Sequence, residues 1–196
     1  IRIGHSHFVN VIRIRALCET DIPAVEHICL MTAAPARRKN TREQENTLLL
    51  NNRCYTRTER HFCFVAADET DCARGYNLCA PDLARYRAAF AERELKEIRK
   101  LGLFRALNAR GSFKLQAPFA TEYPAHLHID LLPEIQSRGI GSQLMQALKE
   151  KLAESGVPGV FLCVSSDNTR AVAFYKKHGF AVLRTLPGGL CMGCKL

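Results

Sequence analysis

Three titratable side chains alternate along one short stretch: His126, His128 and Asp130. On an extended strand that spacing places them on one face, opposite Leu127, Ile129 and Leu131. A histidine near its reference pKa of about 6.5 can accept a proton at neutral pH, and a nearby carboxylate can orient it. The row therefore suits proton transfer. The same residues would also serve as a hydrogen-bonded structural row or a surface lining. Shortly after comes Gln136-Ser137-Arg138-Gly139-Ile140-Gly141-Ser142, a glycine-studded turn that opens a helix. Two residues without a Cβ let a ligand approach the main chain, and the first helical N–H groups have no intrahelical partner. With the helix dipole behind them, such donors favour a phosphate. The glycines alone are equally compatible with an ordinary strand-to-helix turn.

These groups must be held by a strand before the turn and a helix after it. Ala125 to Leu132 is expected to be that strand and Gly139 to Glu154 that helix, with Ile140, Leu144, Ala147, Leu148 and Leu152 at helical spacing. Gly159 to Val164 predicts a strand, Asn168 to His178 a short helix closed by Gly179, and Phe180 to Arg184 and Leu190 to Leu196 two further strands. Alternating strands and helices imply parallel neighbours in this half. Earlier, Val9 to Leu17 alternates like a half-buried strand, and Thr20-Asp21-Ile22-Pro23 launches a helix through about Thr32. Ala34 to Arg60 is polar and is expected to be a mobile excursion with a helical piece near Thr41 to Leu50. His61 to Ala67 and Gly75 to Cys79 predict a hairpin, and Pro81 to about Leu101 one helix. The whole predicts an α/β chain, residues 1–196 as a single domain, with a mixed sheet.

Composition narrows the partners. The chain has 196 residues, is 47% hydrophobic and carries 28 Lys and Arg against 19 Asp and Glu, which suits a globular domain with an anionic partner. Basic residues are scattered and aromatics are only 8%, which disfavours nucleic acid. No apolar run is long enough to span a bilayer, so no membrane role and a cytoplasmic protein, or a nuclear one in a eukaryote, are expected. The nine cysteines lie mostly in apolar stretches and read as reduced and buried. Cys191 and Cys194 have the gap of a zinc knuckle, but no second pair accompanies them, so no metal is expected.

The Gln136-x-x-Gly139-x-Gly141 turn after Ile129-Asp130-Leu131-Leu132-Pro133, followed by Asn168-Thr169-Arg170-Ala171-Val172-Ala173-Phe174-Tyr175-Lys176-Lys177-His178-Gly179-Phe180, resembles the GCN5-related N-acetyltransferases, most specifically over residues 120–184. Within that superfamily, Tyr123 to Asp130 with Gly75-Tyr76 and Ala80-Pro81-Asp82 resembles the acetyltransferase-like domain related to the C-terminal part of O-GlcNAcases. The resemblance implies a six- to seven-stranded sheet flanked by helices and splayed at its central parallel strands. It implies acetyl-CoA as co-substrate, with the pyrophosphate on the main chain of Gln136, Ser137, Arg138, Gly139, Ile140, Gly141 and Ser142. The pantetheine arm would pair with Leu131 and Leu132, Asn168 would contact the cofactor from the other side, and Tyr175 would stand by the sulfur as general acid.

Acetyl transfer to an amine also needs a base, because an ammonium has no lone pair. His128, then Asp130, is the candidate, with His126 and Tyr123 lining the acceptor side. A core tyrosine on an amphipathic helix is the competing role for Tyr175. Direct attack of the amine on the thioester is expected, since Cys163, the candidate for a covalent route, has no evident base. The alternative function is a catalytically inactive domain that binds acyl-CoA or a protein partner. The identity of the amine acceptor, a homodimeric state and processing before Ile1 are left open.

Overall fold

Among the described residues seven strands form one sheet: β1 (Arg13–Ala16), β2 (Phe64–Ala67), β3 (Ala73–Ala80), β4 (Ala125–Leu131), β5 (Gly159–Ser165), β6 (Ala181–Leu186) and β7 (Gly189–Lys195). The computed structural model describes residues 11–196; Val9 and Asn10, expected at the start of the first strand, lie outside the described residues. The order across the sheet is β1-β2-β3-β4-β5-β7-β6. Only β4 and β5 pair in parallel; the other neighbours are antiparallel. β7 lies between β5 and β6, so the parallel neighbours expected throughout the second half reduce to one pair. Alternation of strand and helix fixes chain direction but not which strand inserts between two others.

Helices cover both faces. On one side lie α1 (Ile22–Thr32), α2 (Thr41–Asn51), α3 (Arg53–Thr58), α4 (Leu83–Glu92), α5 (Glu94–Leu101) and α6 (Leu103–Gln116), packed over Tyr76, Leu78 and Ala80 of β3. On the other, α7 (Ile140–Glu154) and α8 (Thr169–Lys177) bury Met145, Leu148, Leu152 and Tyr175 against Leu127 of β4 and Val160 and Leu162 of β5.

Two expectations are corrected here. Ala34 to Arg60 is not a mobile excursion: α2 and α3 occupy much of it, and Leu48, Leu49, Cys54 and Tyr55 are buried in the main core. A few clustered apolar residues pin two helices whose remaining faces are polar. Pro81 to Leu101 is not one helix, because the chain breaks at Arg93 between α4 and α5. There Glu94 turns inward to an ion pair with Arg57 at 2.7 Å, a distant partner that periodicity does not reveal.

Candidate active site

β4 and β5 pair only at Ala125 with Val160 and His126 with Phe161, and beyond that rung they splay apart. On the other edge of β4 the ladder to β3 continues to Leu131. The Leu132 N–H donates to the Arg74 carbonyl, and antiparallel bonding alternates by two, so Asp130, His128 and His126 face β3 with their main chain. The main-chain groups of Leu127, Ile129 and Leu131 therefore face the gap. Of the two residues expected to pair with pantetheine, Leu131 fits; the Leu132 amide is already committed to β3. The Leu131 carbonyl accepts from Gln136 Nε2 at 2.7 Å, so the turn is tied to the strand it follows.

The turn itself has the expected form. Gly139 adopts φ +79°, and Ser137 is also left-handed at φ +60°, a conformation uncommon outside glycine. The first helical bond runs from the Gln143 N–H to the Gly139 carbonyl, which leaves the Ile140, Gly141 and Ser142 amides at the helix start. Gly141 serves a different purpose: a Cβ there would come within 3.3 Å of the Phe174 ring, so the glycine lets α8 pack against α7. Arg170, absent from the sequence-derived set, braces the turn through Gln136 Oε1 (3.1 Å) and Ser137 Oγ (2.8 Å). The Ser142 hydroxyl contacts His178 Nε2 at 3.0 Å, and Arg138 is exposed. Asn168 caps α8 by accepting from the Ala171 N–H, which leaves its amide nitrogen for any other contact. The free amides, the left-handed turn and the open β4 edge fit a pyrophosphate joined to an extended, amide-bearing arm.

Tyr175 is buried on the α7 and α8 side of β4. Burial, and then the charge of Asp130, raise its phenol above the ordinary value, so it stays protonated through neutral and mildly alkaline pH.

The three titratable residues do share the opposite face, and each is held by a tyrosine or by another member of the row. The Tyr76 hydroxyl donates to Asp130 Oδ2 at 2.6 Å, and His128 Nε2 lies 3.0 Å from the same oxygen. Burial pulls the His128 imidazolium down, but the charge and hydrogen bond of Asp130 outweigh it and push the group up to about 10. His128 therefore carries a proton at neutral pH, which does not fit the expectation of a neutral imidazole ready to accept one. His126 moves the opposite way, down to about 3, through burial and then repulsion from His128. It is neutral and sits 2.6 Å from the Tyr55 hydroxyl through Nδ1.

Above this face a cleft of about 600 Å³ opens, with His126, His128 and Asp130 in its floor, Tyr55, Tyr86 and Phe113 in its walls, and Gln116, Cys163 and Ser165 at the splayed end. Gln116 Oε1 is buried there and has no hydrogen-bond partner among the described residues. Tyr123, expected on the acceptor side, lies elsewhere: its ring covers Gly159 and Gly193, where a Cβ would come within 2.9 Å of it, and Lys195 stacks on it at 4.5 Å. A second groove of about 640 Å³ lies over α2 and α3, lined by its own ion pairs such as Arg53 with Glu26 and Arg57 with Glu94. Among the described residues there is no cluster of three or more metal-ligating side chains, and no helix is long and apolar enough to cross a membrane.

Tyr55, Tyr76, Arg170 and Gln116 were not legible as site residues. Strand register opposes Tyr76 to Asp130, and register is not written in either segment alone. Arg170 gave the nearest signal, being in the first turn of the helix that Asn168 opens.

Comparison with known proteins agrees with this geometry. The structure matches that of SsHAT with a TM-score of 0.84 and 29% identity, over 94% of this chain and 98% of that one. It matches PaiA N-acetyltransferase from Thermoplasma acidophilum in complex with coenzyme A with a TM-score of 0.62 and 16% identity, over 95% and 99%. In sequence, it is 36% identical to mycothiol acetyltransferase of Brachybacterium faecium over 70 residues, which is 35% of this chain and 21% of that protein. The chain thus spans about a fifth of that relative's length. Residues 30–180 match the profile of the acetyltransferase (GNAT) family, and the chain belongs to that family.

Proposed function

We propose that the chain is an acetyl-CoA-dependent N-acetyltransferase in which an amine attacks the thioester directly. The observation that carries this reading is the splay of β4 from β5, with the turn and Tyr175 on one side of β4 and the cleft on the other. Ile140, Gly141 and Ser142 offer main-chain donors to the pyrophosphate, and the Ile129 main chain and the Leu131 N–H offer a strand edge to the pantetheine arm. Solved relatives include a complex with coenzyme A and one with acetyl-CoA.

The chain's own groups divide the proton work. Asp130 is the candidate base, directly or through a water, with His128 as its imidazolium partner and Tyr76 fixing its orientation. His126, neutral and anchored by Tyr55, lines the acceptor side. Gln116 Oε1 offers an acceptor to an N–H-bearing substrate. Tyr175, whose raised pKa keeps it protonated, donates to the departing thiolate. The narrower likeness to O-GlcNAcase-related domains rests on Tyr123 to Asp130 with two short flanking segments, and Tyr123 stands outside the cleft.

Release of free CoA with a panel of primary amines tests the reading. Turnover that depends on Tyr175 and Asp130 supports it. Acetyl-CoA binding with no release for any amine supports instead a non-catalytic acyl-CoA-binding module.

A further inference from the structure

Cys163 in the cleft wall and Cys191 buried behind it form a pair of thiols that the proposed chemistry does not use. Cys163 on β5 and Cys191 on β7 are directly opposed, with their sulfurs 3.7 Å apart. The Ser166 N–H donates to the Gly188 carbonyl, and the ladder alternates by two, so Cys163 and Cys191 form a non-hydrogen-bonded pair. In such a pair the Cα atoms approach to about 4.5 Å. Disulfides span roughly 4.4–6.8 Å between Cα atoms, so side-chain rotation alone can bring the sulfurs to about 2.05 Å.

The two thiols differ in access and environment. Cys163 is exposed in the cleft, whereas Cys191 is fully buried beneath it. The hydrogen bond with Cys191 holds the Cys163 thiol below its ordinary value against burial, helped by Gln116 Nε2 at 3.9 Å. The same contact, then burial and the Cys163 charge, push Cys191 up. Other buried thiols, Cys54, Cys63 and Cys79, are raised by burial and closed to solvent.

We infer that Cys163 and Cys191 form a dithiol modification site in the cleft wall, which hydrogen peroxide oxidises to a cross-strand disulfide. The Cys163 thiolate attacks one peroxide oxygen, the O–O bond breaks, and the departing hydroxide takes a proton to become water, leaving a sulfenic acid. The Cys163 charge that held the proton on Cys191 is then gone. Cys191 sulfur attacks Cys163 sulfur, the S–O bond breaks, and the leaving hydroxide takes the Cys191 proton. In sum, two thiols and one peroxide give one disulfide and two waters.

The test is hydrogen peroxide treatment of the full chain followed by peptide mass mapping. The expected result is a Cys163–Cys191 linked peptide that has lost two hydrogens and is restored by dithiothreitol. Cys191→Ala should leave a Cys163 sulfenic acid trappable by dimedone, and Cys163→Ser, at an exposed position, should abolish both products. Circular dichroism checks that each variant is folded. Overoxidation of Cys163 without linkage to Cys191 in the unaltered chain, linkage through exposed Cys18 or Cys72 instead, or no reaction at Cys163 would each overturn the inference.

Discussion

The two sides of β4 are built on different principles. On the side proposed to hold the cofactor the groups are main-chain amides, braced locally where Gln136 reaches Leu131 five residues away and Asn168 caps Ala171 three residues on, and tied from farther along the chain by Arg170 to Gln136 and Ser137. On the side proposed to face the acceptor the groups are side chains paired across the fold, Tyr55 with His126 at a separation of 71 residues and Tyr76 with Asp130 at 54. A main-chain site tolerates many side chains provided that the backbone conformation is kept. A side-chain site depends on each partner and on the register that opposes them.

That contrast can be broken in stages. Tyr175→Phe should cause the largest loss: removing a general acid slows release of CoA by about 10²–10⁴-fold, with acetyl-CoA affinity nearly unchanged, as steady-state release and direct binding would show. If affinity falls in parallel with rate, Tyr175 is holding the fold or the ligand rather than moving a proton. Tyr76→Phe removes a short bond to a carboxylate, worth about 1.5–3 kcal/mol. Urea unfolding should register that loss, and the pH dependence of CoA release should shift because Asp130, still beside His128, loses one of its two donors. Gly139→Ala forces a Cβ into a left-handed backbone at a cost of about 1–2 kcal/mol, which should weaken acetyl-CoA roughly tenfold and spare the acceptor side.

The two histidines give a pH-dependent test of the same face, because their shifts are opposite. His128 is raised from 6.5 to about 10, so its stabilisation is complete below about pH 6.5 and is lost as pH rises toward 10. His126 is lowered to about 3, so its contribution is complete above about pH 6.5 and is lost as pH falls toward 3. One group changes stability by at most about 1.4 kcal/mol per pH unit, and by less for the partly exposed His128. Thermal midpoints measured across pH should show both limbs, and His128→Gln should abolish the alkaline one and only lessen the acid one, by removing the repulsion on His126.

The same contrast explains what could be read beforehand. The turn, the strand before it and the capped helix after it are contiguous, so glycine positions and periodicity exposed them, and what escaped notice was the commitment of the Leu132 amide to Arg74 and the brace from Arg170. The shared face of His126, His128 and Asp130 follows from alternation within one strand. Their protonation does not, because it turns on how deeply the overlying helices bury each ring and on how closely His128 approaches Asp130, neither of which the strand reveals alone. The cleft walls were hidden for the same reason: α2 and α3 carry few apolar residues, and α6 had no distinguishing motif. Tyr123 went astray because a position before β4 reveals nothing about which strands its ring will cover.

The most direct test is calorimetric titration of acetyl-CoA into the unaltered chain, Gly139→Val and Asp130→Asn. If main chain grips the cofactor and the opposite face does the chemistry, the unaltered chain and Asp130→Asn bind one equivalent with similar affinity, whereas Gly139→Val binds far more weakly. Equal binding by all three, or loss of binding in Asp130→Asn with Gly139→Val unaffected, would contradict that division.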